Sequence, residues 1–276
     1  MQSPTAYYRE SGAGPSVVCI HSNASSSSQW RPLMDRLSDR YRVIAVDTYA
    51  AGKSPEWPQG CEGTLTDETA FLEGVFRAAG DSFHLAGHSY GAAVALKAAL
   101  ENPSRVTSLI LYEPSLFSLL LAENARHPGA RDIREVTDDS IAAIHRGDHD
   151  AAARRFIDYW MGAGTWAAMP ESRRIGIAKS MRGMAQWTHA LFHEPTPLAA
   201  FAALDVPVLY LTGSTSPRCA RDVAGLLTKS LPRVTVAELH GLGHMGPVTH
   251  PDIVNEAIEQ HLERMGESPH GQSHSV

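Results

Sequence analysis

The chain has 276 residues, 43% of them hydrophobic and 20% charged, with a formal net charge of −6 at pH 7. That length accommodates one large domain with an insertion, and the composition is that of a soluble globular protein. The acidic balance and the lack of a Lys/Arg run argue against nucleic-acid binding, and no apolar stretch is long enough to span a bilayer.

In chain order, residues 6–10 predict a first edge strand, and the β-rich run Ser16-Val17-Val18-Cys19-Ile20 predicts a central one. Residues 1–10 lack the apolar core of a signal peptide. A polar loop over 21–28 leads into a helix carrying Trp30, Leu33, Met34 and Leu37, with one of the serines 25–28 as its cap. Residues 41–46 predict the next strand, and 47–63 a Gly- and Pro-rich loop. Helical spacing runs over 66–79, with Thr66 as N-cap and Gly80 as the stop. The strand 83–86 and the small-residue helix 92–100 flank Gly87-His88-Ser89-Tyr90-Gly91, and residues 106–112 form another buried strand. Continuous apolar strands separated by helices imply a parallel sheet covered on both faces.

From 115 to 203 helical spacing replaces strand patterning, with helices expected at 141–144, 151–161, 173–187 and 198–204. Strands resume at 207–211 and 234–239, and a last helix covers 251–262. The implied organisation is an α/β core of residues 1–114 and 204–265, a helical cap over 115–203, and a Ser/His/Gly-rich tail, 266–276, expected to be disordered. Cys19, Cys61 and Cys219 have no metal-ligand spacing and read as free thiols of a reducing, cytoplasmic compartment. His145, Asp148, His149 and Asp150 are metal-ligand types, but Gly147 interrupts them and a solvated turn is the better reading. Neither a metal nor a cofactor is called for.

Gly87 to Gly91 carry the chemistry. A serine at the apex of a strand–turn–helix is exposed for nucleophilic attack once a base takes its proton, and glycines two before and two after let the turn close. Three further signatures follow the same order along the chain. His21-Ser22-Asn23-Ala24 comes after the first long strand, Asp47-Thr48-Tyr49-Ala50-Ala51-Gly52-Lys53-Ser54 after the next, and Gly241-Leu242-Gly243-His244-Met245 near the C-terminus. With these the chain resembles the α/β-hydrolase superfamily from about Tyr8 to Leu262, failing only over the insertion. The resemblance implies an α/β-hydrolase fold, a mostly parallel sheet flanked by helices, with a helical cap inserted after the strand that follows the nucleophile helix. It makes 21–24 the oxyanion loop and 47–54 an Asp-x-x-Gly-x-Gly-x-Ser loop, with Ala51 off-pattern.

Carried onto this sequence, the resemblance implies Ser89 as nucleophile and His244 as base, with His240 as its nearest rival. The backbone N–H groups of Tyr90 and Asn23 form the implied oxyanion hole. Asn23 departs from pattern, because His21-Ser22 stands where the family has His-Gly. The acid departs further: the turn that usually holds an Asp reads Gly213-Ser214-Thr215-Ser216-Pro217. Glu113, at the carboxyl end of the strand beside the serine strand, is the expected replacement, with Asp222 the alternative. The expected activity is hydrolysis of a small carboxylic ester, lactone or thioester through an acyl-enzyme. C–C bond hydrolysis or lyase chemistry on the same triad, and a non-catalytic ligand-binding role, stand as alternatives. The expected partner is a small, apolar or aromatic substrate. Of Phe117, Leu120, Tyr159, Trp160, Met161, Trp166, Met181, Met184, Trp187 and Phe192, most are expected to form the cap's own core and an unspecified few to receive it. No nucleic acid or membrane is expected, and oligomeric state is left open.

Overall fold

Seven strands make one sheet in the computed structural model, which describes residues 5–267. They are β1 (Tyr8–Ser11), β2 (Ser16–Ile20), β3 (Arg42–Val46), β4 (Phe83–His88), β5 (Val106–Tyr112), β6 (Val208–Gly213) and β7 (Val234–Leu239), in spatial order β1-β3-β2-β4-β5-β6-β7. Only β1 runs antiparallel to its neighbour; every other pair is parallel. The sheet helices are α1 (Arg31–Leu37), α2 (Leu65–Ala79) and α3 (Tyr90–Glu101). Between β5 and β6 the chain forms α4 (Phe117–Glu123), α5 (Pro128–His145), α6 (His149–Met161), α7 (Thr165–Ala168), α8 (Glu171–Ser180) and α9 (Met184–Phe192), with no strand. α10 (Arg218–Ser230), α11 (Gly246–Thr249) and α12 (Pro251–Glu267) complete the order.

The apolar runs are explained by burial on both faces. In β2, Val17 and Cys19 pack with Leu33 and Leu37 of α1 and Ile258 of α12, whereas Val18 and Ile20 pack in the cluster that holds α2 and α3. Connections leave β2 toward β3 and then cross back to β4, so the order reverses between β2 and β4. Ligand sites of parallel sheets form at the carboxyl ends of strands at such a reversal. The loop beginning at His21 and the turn at Ser89 both leave the sheet there.

Several local expectations are corrected. The N-cap of α2 is Thr64, not Thr66: its hydroxyl accepts from the Asp67 N–H while the Asp67 carboxylate accepts from the Thr64 N–H, a reciprocal capping box. The helix expected over 173–187 is two helices separated by a 3₁₀ turn at Met181–Gly183. A Cβ at Gly183 would stand 2.9 Å from the Trp187 ring and 3.2 Å from Ala50 Cβ, so the break lets backbone approach a tryptophan. Residues 198–203 form 3₁₀ rather than α-helix. The last helix runs to Glu267, taking in Gly266 from the expected tail; the rest of that tail, 268–276, lies outside the described residues. Among the described residues no helix is long and apolar enough to cross a membrane.

Candidate active site

β4 delivers Ser89 into a turn with φ 57° and ψ −114°, a strained backbone for a residue with a Cβ. The flanking glycines are sterically required. A Cβ at Gly87 would lie 2.3 Å from the Gly91 carbonyl oxygen, and one at Gly91 would lie 2.3 Å from that of Ile20. The turn thus presses the N-terminus of α3 against the end of β2, with Ser89 Oγ at the reversal point.

His244 and Glu113 meet this serine. Ser89 Oγ is 2.9 Å from His244 Nε2, and His244 Nδ1 is 2.7 Å from Glu113 Oε2. A carboxylate only accepts, so Nδ1 carries the proton and Nε2 presents its lone pair to the Ser89 hydroxyl. With that hydroxyl committed, the Ser115 hydroxyl donates to Ser89 Oγ at 3.0 Å. All three side chains are buried. Glu113 reaches His244 because β5 and β6 are neighbours. Its second oxygen accepts from the Gly213 N–H at 2.7 Å and the Thr212 hydroxyl at 2.8 Å, at the tip of β6. The carboxylate therefore arrives from the next strand at the end of the strand whose turn lacks an acid. Glu113 itself takes φ 45° to do so. Burial pushes its carboxyl up, but the hydrogen bond and charge of His244, with the Gly213 N–H, outweigh it, and the net direction is down.

The rivals lie elsewhere. Asp222 pairs with Arg218 at 3.2 Å on α10, and His240 is exposed. Asp148 caps α6 through the Ala151 N–H, and Asp150 accepts from Trp166 Nε1.

Tyr90 opens α3, and its hydroxyl donates to the buried Glu68 at 2.8 Å. Burial pushes the Glu68 carboxyl up to about 7, against the hydrogen bonds from the Tyr49 N–H and the Tyr90 hydroxyl. Asn23 shares with Ser89 the wall of a small inner pocket, and its Oδ1 is buried without a hydrogen-bond partner. The left-handed residue of its loop is Ala24, φ 56°. Ser22, in the usual glycine position, is held instead by Gln29, whose Oε1 accepts from the Ser22 N–H and hydroxyl. In the 47–54 loop the left-handed positions are Ala50 and Gly52, so the residue standing for the first glycine is Ala50, not Ala51.

The inner pocket is closed, with a cavity volume of about 10 Å³, room for one water at most. Phe117, Trp160, Thr188 and Phe192 are among its walls. Trp160 also stacks on the His244 ring, centroids 3.9 Å apart, and lines a second, outer vestibule of about 630 Å³.

A family profile described as alpha/beta hydrolase fold matches residues 15–251. The chain belongs to this family. It is 27% identical to the 2-(acetamidomethylene)succinate hydrolase of Mesorhizobium japonicum, covering 94% of this chain and 92% of that protein. It is 22% identical to a pimeloyl-[acyl-carrier protein] methyl ester esterase of Legionella pneumophila, covering 91% and 96%. Among solved structures, an alpha/beta hydrolase from Sphaerobacter thermophilus superposes with TM-score 0.73 at 25% identity, covering 95% of this chain and 96% of that one.

As an α/β-hydrolase, the chain carries contacts that its motifs do not announce. Gln29 Nε2 donates to His88 Nδ1 at 3.1 Å, and His88 Nε2 donates to the His244 carbonyl at 2.8 Å. Burial first, then the His244 and His21 rings, hold His88 well below the ordinary imidazole value, so it serves as a neutral link. The Tyr112 hydroxyl donates to the Gly243 carbonyl at 2.7 Å. Both bonds fix the loop that carries His244. For Gln29 no local signal exists, and Trp160 is one of ten cap residues that nothing in its own run sets apart from the others.

Proposed function

We propose that the chain is a serine hydrolase cleaving a small carboxylic ester, lactone or thioester through an acyl-enzyme on Ser89. The observation that carries the reading is the unbroken Ser89–His244–Glu113 relay. Ser89 Oγ attacks the substrate carbonyl carbon as His244 Nε2 takes its proton. Glu113, kept as a carboxylate, holds the Nδ1 proton and stabilises the imidazolium. The N–H groups of Tyr90 and Asn23 receive the charge that develops on the carbonyl oxygen. Collapse breaks the bond to the leaving group, which takes the proton from His244. Water then attacks the acyl-enzyme with His244 again as base, releasing the acid and restoring Ser89.

Glu113, bonded at the end of β6, supports this catalytic reading over the non-catalytic ligand-binding one. Cys19, Cys61 and Cys219 are free thiols, which fits the reducing, cytoplasmic setting proposed for the chain. The test is labelling by a fluorophosphonate together with turnover of 4-nitrophenyl acetate. Ser89→Ala is expected to abolish labelling and to lower kcat by about 10⁴-fold or more. An unlabelled wild-type chain that turns over no ester, lactone or thioester would return the protein to the ligand-binding class.

A further inference from the structure

The vestibule outside Trp160 differs in charge from the rest of the molecule. The chain carries a net −6, yet among the described residues no Asp or Glu lines this cavity, while Arg173, Lys179 and Arg182 all do. Arg182 is engaged by Glu56 at 2.6 Å. Among the described residues Arg173 and Lys179 have no ion-pair partner. Both sit on α8, a helix with no buried residue, so neither cation is needed to pack it. Concave walls of one sign concentrate the opposite charge from solution.

The relay says which half of a substrate reaches this space. The leaving group must take its proton from His244 Nε2, so it lies on the histidine side of Ser89. Met245, the next residue, and Pro247 line the vestibule. The acyl half is left with the inner pocket, whose walls beyond Ser89 include Phe117, Ile133 and Leu191 and, among the described residues, no charged side chain. At about 10 Å³ that pocket admits only a very small acyl group in this conformation.

Resting on the hydrolase reading above, we infer that the vestibule is a recognition site for an anionic leaving group. The substrate class is then a short neutral acyl group, such as acetyl, on an alcohol, phenol or thiol that bears a carboxylate or a phosphate. In the transfer, the Ser89 Oγ–carbon bond forms and the carbon–leaving-atom bond breaks. The Ser89 proton passes through His244 to the leaving atom, while Arg173 and Lys179 hold the distant anion.

The test compares 4-acetoxybenzoate and 4-acetoxyphenyl phosphate with neutral methyl 4-acetoxybenzoate. The expected result is a higher kcat/KM for at least one anionic ester, a preference that weakens as salt rises. In Arg173→Gln/Lys179→Gln the anionic-to-neutral ratio is expected to fall roughly fivefold to tenfold. A preference for the phosphate alone, or the carboxylate alone, identifies the anion; a ratio that moves with neither salt nor substitution overturns the inference. Calorimetric binding of the products 4-hydroxybenzoate and 4-hydroxyphenyl phosphate separates the two readings. Ser89-dependent turnover with an unmoved ratio leaves the hydrolase and removes the anion site. Product binding that the double substitution weakens, with no ester turned over, leaves the anion site and removes the hydrolase.

Discussion

The Ser89–His244–Glu113 relay and the helical side that covers it treat polar groups in opposite ways. Beneath the substrate position, Ser89 Oγ, both ring nitrogens of His244 and both oxygens of Glu113 are hydrogen-bonded. On the covering side Trp160 Nε1 and Thr188 Oγ1 are buried without a partner, and Asn23 Oδ1 faces them in the same condition. A buried polar atom left unpaired costs about 1–3 kcal/mol. The relay is therefore preorganised by its own bonds, whereas the cover holds its polar atoms at a cost that a polar substrate atom can recover. Rigid chemistry below and unsatisfied recognition above is the division of labour the two sides teach.

The sharpest way to break this contrast is to break the relay. Glu113→Gln is expected to lower kcat by up to about 10⁴-fold, because an amide no longer fixes the Nδ1–H tautomer of His244. Asp222→Asn is expected to leave kcat within about twofold, since the partners of Asp222 are Arg218 and His127 and neither belongs to the relay. Steady-state kinetics of the two variants decide it, and the reverse pattern would move the acid to α10. Glu113 also ties stability to pH. Its folded-state value lies below the ordinary 4.5, so its contribution is complete above about that pH and is lost as pH falls through the lower folded value.

A second test asks whether satisfied hydrogen bonds mean a satisfied charge. Glu68, under Tyr90, has its bonds, but burial raises it from 4.5 to about 7. A carboxyl raised on folding stabilises fully below its unfolded value and loses that contribution as pH rises through the folded one. Glu68→Gln stays neutral throughout. Denaturant unfolding should therefore show the variant gaining on wild type by on the order of 3 kcal/mol between acid pH and pH 8. No change in the difference across that range would mean that Glu68 is already comfortably ionised.

A smaller loss than that of the relay is expected on the cover. Trp160→Ala removes the ring stacked on His244 and the wall between the inner pocket and the vestibule. An acetate ester is expected to lose roughly fivefold in kcat/KM, while the ratio of hexanoate to acetate turnover rises. A falling ratio would mean that Trp160 holds the acyl pocket open rather than closed.

The same division governs what could be read from the sequence. Sheet strands, the Ser89 turn and the His244 loop were legible because each depends on short runs whose backbone needs are written in glycines and apolar residues. Glu113 was legible only against the family resemblance, which made Ser216 a vacated acid position and the lip of β5 a place for its replacement, with Asp222 left as the alternative. The insertion was legible only as helical. The break at Met181–Gly183 follows from the approach of Gly183 to Trp187, and the stacking of Trp160 on His244 from how the insertion lies on the sheet. Neither is a property of the local run. The capping box at Thr64 was readable, since Asp67 stands three residues on, but Thr66 was nearer the first periodic residue.

Glu113 also changes how the fold can vary over evolutionary time. The proposed nucleophile Ser89 and the proposed acid Glu113 leave adjacent strands joined by one helix, so a single β4–α3–β5 unit carries both. Residues 214–217 are released from supplying a carboxylate, while the Thr212 hydroxyl and Gly213 N–H at the end of β6 bond the one that arrives from β5. Ser214 and Thr215 still brace the histidine loop, the Ser214 hydroxyl accepting from the Gly241 N–H and the Thr215 hydroxyl donating to the Leu242 carbonyl, both at 2.9 Å. The proposed reaction thus ties β4–α3–β5, the histidine loop and this turn into one inherited set.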